Sequence, residues 1–324
     1  MLLPSLVVHA DWGKNPKKRW FAGASLQPDG IYIACPPKPV DDLSDFLPGL
    51  KRKTGEEGAI LVGFDFPIGL PLEYARLARI YDFLAALARF GQGEWSDFYE
   101  VAREPHEIGL LRPFYPHRPG GTRRGQLVER LGLSSFDGLR RRCEYKQENR
   151  RAACPLFWTL GAHQVGKAAI VGWRDLLAPG LRDPGLNLAI WPFSGKMVDL
   201  IRPARMIVAE TYPAEFYSHL NIDVKRRAFS KRSQESRAST APRLQEWARS
   251  AAVDLHYDLR TGIESGFGSG ANGEDLFDSV VGLFGMLYVV LGKREPGELP
   301  DSLQRSTEGW IFGQDICPNC DSPG

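Results

Sequence analysis

The stretch Ala59-Ile60-Leu61-Val62-Gly63-Phe64-Asp65-Phe66-Pro67-Ile68-Gly69-Leu70-Pro71 decides the fold. Its first part is apolar without interruption, the pattern of a strand covered on both faces of a sheet. Pro67, Gly69 and Pro71 then stop the strand, because proline cannot donate to a ladder and glycine lets the backbone turn. The one charged residue, Asp65, stands where strand gives way to turn. In open α/β sheets this carboxyl edge is where ligands bind.

Upstream, Leu6 to Ala10 is a short β-branched run ending at Asp11-Trp12-Gly13. Arg19 to Ser25 and Ile31 to Cys35 follow, split by the turn residues Pro28-Asp29-Gly30, and together these runs predict a three-strand meander. Asp41 to Leu47 carries acidic residues suited to a first helical turn. Downstream, helical periodicity (Tyr74, Leu77, Ile80, Phe83, Leu84, Leu87) alternates with loops rich in Pro, Arg and Gly. Helices are expected over 165–177, 242–252 and 274–291, and another strand at Met206-Ile207-Val208-Ala209, ending at Glu210. A meander followed by parallel crossovers predicts an α/β mixed sheet with flanking helices. The core is expected over 1–71 and 205–292, with a large, mostly helical insertion over 72–204. The domain is expected to run over 1–312, with 313–324 as a flexible tail.

The chain of 324 residues has a formal charge of only +2, so bulk charge names no partner. Five scattered cysteines do not form the framework of a small secreted domain. Met1 to Val8 has no basic leader, and Ser279 to Leu291 is too short to span a bilayer. A cytoplasmic protein without a membrane partner is the expectation.

Asp11, Asp65 and Glu210 share one placement, each at the carboxyl end of an apolar strand. Asp275 and Asp278, three apart at the start of an apolar helix, fall on one helical face. Each has a plain structural alternative. Strand-end aspartates brace turns, and acids in a first helical turn gain roughly 0.3–1 kcal/mol from the dipole. Together they are harder to explain that way, since carboxylates ~4 Å apart repel by about 4 kcal/mol per pair at an effective dielectric of ~20. A divalent cation removes that cost, and all-oxygen ligands suit Mg²⁺ or Mn²⁺. Two such ions about 3.5–4 Å apart can activate water and stabilise the leaving oxygen of a phosphodiester. Asp11, Asp65, Asp278 and Glu210 are therefore the candidate catalytic residues, and Asp11, Asp65, Asp275 and Asp278 the candidate metal ligands.

The strand-end Asp11, the Gly63-Phe64-Asp65-Phe66-Pro67-Ile68-Gly69-Leu70-Pro71 segment and Ala209-Glu210-Thr211-Tyr212-Pro213 form part of a longer pattern. Asp275-Leu276-Phe277-Asp278-Ser279-Val280-Val281-Gly282-Leu283 and Glu308-Gly309-Trp310-Ile311 complete it. In this order the motifs resemble those of the family known as domain of unknown function 429. The resemblance implies a ribonuclease-H-like mixed sheet, a predicted nuclease activity and paired acidic positions on the last helix. Asp275 stands where that family often has histidine, which keeps an oxygen ligand in place of nitrogen.

A nuclease needs phosphate contacts, and the charge is unevenly placed. Arg123, Arg124, Arg140, Arg141 and Arg142 lie in a basic stretch of the insertion, and Lys231 and Arg232 in a second that includes Lys225, Arg226 and Arg227. These are the candidate contacts to DNA or RNA, with Phe114, Tyr115 and Tyr145 as possible base-stacking surfaces. A solvated basic face is the plain alternative. Two other functions fit parts of the pattern. One is a nucleic-acid-binding protein of the same fold without turnover. The other is an actin-like nucleotide-binding protein using Asp11-Trp12-Gly13-Lys14 as a phosphate loop, although no duplicated second loop is visible. Gly268 to Gly273 has dinucleotide-loop spacing but no strand leading into it. Cys317-Pro318-Asn319-Cys320 is half of a zinc ribbon at most. Trp158, Gln164 and Lys167 are further candidates for lining a site.

Overall fold

A computed structural model describes residues 2–118, 123–147, 150–160, 165–222, 229–297, 299 and 302–316. The strand that ends in Asp11, β1 (Leu6–Asp11), sits in the middle of an eight-stranded mixed sheet of order β6-β7-β5-β1-β2-β3-β8, with β4 paired to β2. β2 (Trp20–Leu26) and β3 (Tyr32–Ala34) form the expected antiparallel meander with β1, and β4 (Lys38–Pro39) lies against β2. β5 (Ile60–Phe64) and β7 (Met206–Glu210) extend the other side in parallel. Every residue of these two strands is buried, which accounts for their unbroken apolar runs.

Two short edge strands go beyond the sequence reading. β6 (Leu188–Ile190) comes from the segment assigned to the insertion, and β8 (Val253–Leu255) pairs in parallel with β3.

Because side chains alternate across a strand, each central strand feeds two cores. Val8, Ala10, Ile60, Val62, Phe64 and Val208 face α1 (Leu43–Thr54) and the insertion, including α2 (Val165–Gly172). Val7, Leu61, Ile207 and Ala209 face α3 (Pro213–His219), α4 (Ala241–Ser250) and α5 (Gly273–Val290). α1 starts as its acids suggest, with the Asp42 side chain accepting from Ser44 N at 2.9 Å. Among the described residues no helix is long and apolar enough to cross a membrane.

Described residues beyond Arg294, among them Leu299, Trp310, Ile311 and Phe312, are packed into the core. α6 (Ser302–Thr307) leads to Ile311, which bridges to Glu210 at the sheet edge. Gly313 and Gln314, assigned to the tail from sequence, are buried, and Gln314 Nε2 donates to the Cys143 carbonyl at 3.1 Å. Cys317 and Cys320 lie outside the described residues.

Candidate functional site

Register fixes which acids meet. Ala10 is level with Phe64, and Phe64 with Glu210. One residue further along, Asp65 N donates to the Ala10 carbonyl at 3.1 Å, so Asp11 and Asp65 end neighbouring strands side by side. Alternation directs both, with Thr211, to the α5 face and sends Glu210 to the opposite face. α5 comes close because the contact has little side-chain bulk. A Cβ on Gly282 would stand 2.2 Å from the His9 ring, and one on Gly63 would stand 2.4 Å from Met286 Sδ. Its N-terminal part thereby brings Asp278 and Asp275 to Asp11 and Asp65.

The Asp11–Asp65 pair is starved of positive charge. Burial raises the Asp11 pKa well above the usual carboxylate range, and the charges of Asp278, Asp65 and Asp275 raise it further. Burial, then Asp278, pushes Asp65 up to about 7, with Lys231 opposing. Among the described residues neither carboxylate accepts a hydrogen bond or forms an ion pair. Beside Asp65, Thr211 buries a hydroxyl with no partner among those residues. His9, two residues before Asp11 on the same face, is fully buried; burial lowers its pKa to about 3, so it stays neutral.

The helix acids are better supplied. Asp278 receives the Tyr217 hydroxyl on one oxygen and Lys231 Nζ, at 2.6 Å, on the other. Lys231 also lies 3.0 Å from Glu274. Asp275 pairs with Lys18 at 3.0 Å, and burial still raises its pKa against that pull. Among the described residues no group of three or more His, Cys, Asp or Glu is arranged to hold a metal ion.

Glu210 does not join them. Arg141 grips it through two 2.6 Å bonds, Nη1 to Oε2 and Nη2 to Oε1, and Ile68 N adds a third at 2.6 Å. Arg141 also holds Glu144, with Nε and Nη2 at 3.0 and 2.8 Å from Oε1. Both carboxylates and the guanidinium are buried. The catalytic expectation for Glu210 is therefore corrected, since a buried, fully engaged acid on the other face offers no free oxygen to a reacting group.

The same network corrects the nucleic-acid expectation for Arg141, which is fully buried. Arg140 is half-buried against Asp137 and the Ala153 carbonyl, and Arg142 is half-buried beside Gln304. Arg123 and Arg124 are exposed, and the Arg124 guanidinium lies 5.5 Å from the Phe136 and Trp158 ring centres. Arg232 is exposed, whereas Lys231 belongs to the acidic cluster. Phe114 and Tyr115 are core residues and cannot stack on bases as they stand. Trp158 is also buried, and Lys167 lies on α2. Lys225, Arg226, Arg227 and Gln164 lie outside the described residues.

Sequence reasoning missed Tyr217, Thr211 and the role of Lys231. A period-two reading from Asp11 reaches His9, but nothing local marks Tyr217 as a partner of Asp278, 61 residues away. No model of a known protein family, no curated protein and no solved structure matches the chain.

Proposed function

We propose that the chain is a metal-dependent nuclease with a ribonuclease-H-like fold, hydrolysing phosphodiester bonds of DNA or RNA at Asp11 and Asp65. One observation carries the reading. Two half-buried, adjacent carboxylates have no described hydrogen-bond or ion-pair partner, although carboxylates drawn this far out of water are ordinarily paired or bound to metal. A meander followed by parallel strands, with Asp11 ending its central strand, supports the fold. So does the motif resemblance to the domain of unknown function 429 family.

The orphaned Thr211 hydroxyl and the uncompensated acids fit a hard, oxygen-liganded cation. Asp11 and Asp65 would hold Mg²⁺ or Mn²⁺, with Asp278 facing them from α5. When bound, such an ion lowers the pKa of attacking water and stabilises charge on the phosphate oxygens. The protein's own share is positional. The parallel register keeps Asp11 and Asp65 level, and α5 is seated close behind them, with Gly282 against the His9 ring. Tyr217 fixes the rotamer of Asp278, and Arg123, Arg124 and Arg232 offer exposed charge to the phosphate backbone. Labelled single-stranded, duplex and structured nucleic acids incubated with a divalent-metal panel test this. Cleavage should require Mg²⁺ or Mn²⁺ and vanish in Asp65→Asn.

A second reading is a nucleic-acid-binding protein of this fold without turnover. It is favoured by the engagement of Asp278 and the lack of a three-ligand metal group among the described residues. Salt-sensitive binding with no cleavage under any metal would select it.

A further inference from the structure

We propose that Lys231 is a built-in cation of the acidic cluster, occupying the Asp278 side so that the site takes up a single divalent ion at Asp11 and Asp65. The inference rests on the metal-dependent reading above and specifies the stoichiometry of that site.

Lys231 is not a stray surface lysine. Its carbonyl accepts from Arg237 Nη1 at 2.6 Å, and the buried Arg237 also donates to the carbonyls of Gly266 (Nε, 2.8 Å) and Gly268 (Nη2, 2.7 Å). Gly266 and Gly268 belong to the loop that leads into α5. One guanidinium therefore fixes the lysine backbone and the approach to the acidic helix together. From that anchor the ammonium reaches Asp278 Oδ2 at 2.6 Å and Glu274 Oε1 at 3.0 Å. Its charge also acts on Asp11 and Asp65, opposing the repulsion between them.

The charge count gives the stoichiometry. With every acid ionised, Asp11, Asp65, Asp278, Asp275 and Glu274 contribute five negative charges, and Lys231, Lys18 and Arg232 three positive ones. Asp275 is answered by Lys18, Glu274 by Arg232, and Asp278 by Lys231 with the Tyr217 hydroxyl. The uncompensated charge lies at Asp11 and Asp65, with room electrostatically for one divalent ion. A second ion would have to share Asp278 with an ammonium already 2.6 Å from its oxygen, which is strongly repulsive.

Counting bound Mn²⁺ on the whole chain, by electron paramagnetic resonance and calorimetry, tests this. Wild type should bind one Mn²⁺ per chain, and Lys231→Arg also one. Lys231→Met, with folding checked by circular dichroism, should bind two. Asp278→Asn, which removes a charge without orphaning one, should still bind one. Two ions on wild type, one on folded Lys231→Met, or loss of the ion in Asp278→Asn would each overturn the role of Lys231 while leaving a metal centre in place. No ion on wild type would overturn the metal-dependent reading itself, and this inference with it.

Discussion

Asp65 and Glu210 end adjacent strands, are separated by one step of register, and meet opposite fates. On one face, Glu210 is closed in by Arg141, Ile68 N and, through the shared guanidinium, Glu144. On the other, Asp65 and Asp11 lie together in a half-buried site with no described donor. Glu210 is buried and Asp65 partly so, and loss of water alone does not separate them. The distinguishing property is whether the fold supplies the compensating charge. Where it does, the acid is part of the frame; where it does not, its charge is left without a partner among the described residues.

Mutating the two sides should separate them cleanly. The largest effect is expected from Asp11→Asn or Asp65→Asn, each cutting metal-dependent cleavage by at least about 10³-fold, or roughly 4 kcal/mol of barrier. Metal-free stability in urea should stay level or rise, because a repulsive partner has gone. Arg141→Met should do the reverse. Leaving Glu210 and Glu144 buried without their partner should cost about 3–5 kcal/mol of stability, read from the shift of the urea midpoint. If Asp65→Asn destabilised as much as Arg141→Met, both acids would belong to the frame and the contrast would collapse.

A smaller effect concerns Glu308, which accepts from Leu72 N on the Arg141 side. Burial raises its pKa to about 7 against the pull of the Leu72 and Arg142 amides and Arg141. The folded chain thus keeps this proton to a higher pH than the unfolded chain does. Its contribution to stability falls as pH rises from about 4.5 to about 7 and is flat above. Glu308→Gln should remove that decline, on the order of 3 kcal/mol, from unfolding curves taken across the window. Smallest is Arg124→Ala, which should lower the slope of log affinity against log salt for nucleic acid by about one, without changing cleavage chemistry.

Much of this arrangement was legible in the residues. The runs ending in Asp11, Asp65 and Glu210 announced strands, and Asp275 and Asp278 announced a helix start carrying acids to the same edge. The face of Glu210 was not legible. Runs that look alike end at different levels once paired, and a single step reverses a side chain. Arg141 was read as a surface contact because its partner lies 69 residues away, with no local pattern linking them. β6 and β8, three residues each, were too short to leave a periodic trace. Lys231 was assigned to the basic rim on its neighbours' charge, whereas its position follows from the Arg237 anchor.

The two-sided wiring of β1, β5 and β7 bears on how this protein can change over generations. Point substitutions can adjust either layer separately. A single-codon insertion or deletion within one of these strands would exchange layers for every side chain beyond it, moving Glu210 towards the acidic layer or Asp65 away from it. Length changes should therefore accumulate in the loops and at the sheet margins, while the three central strands keep their spacing.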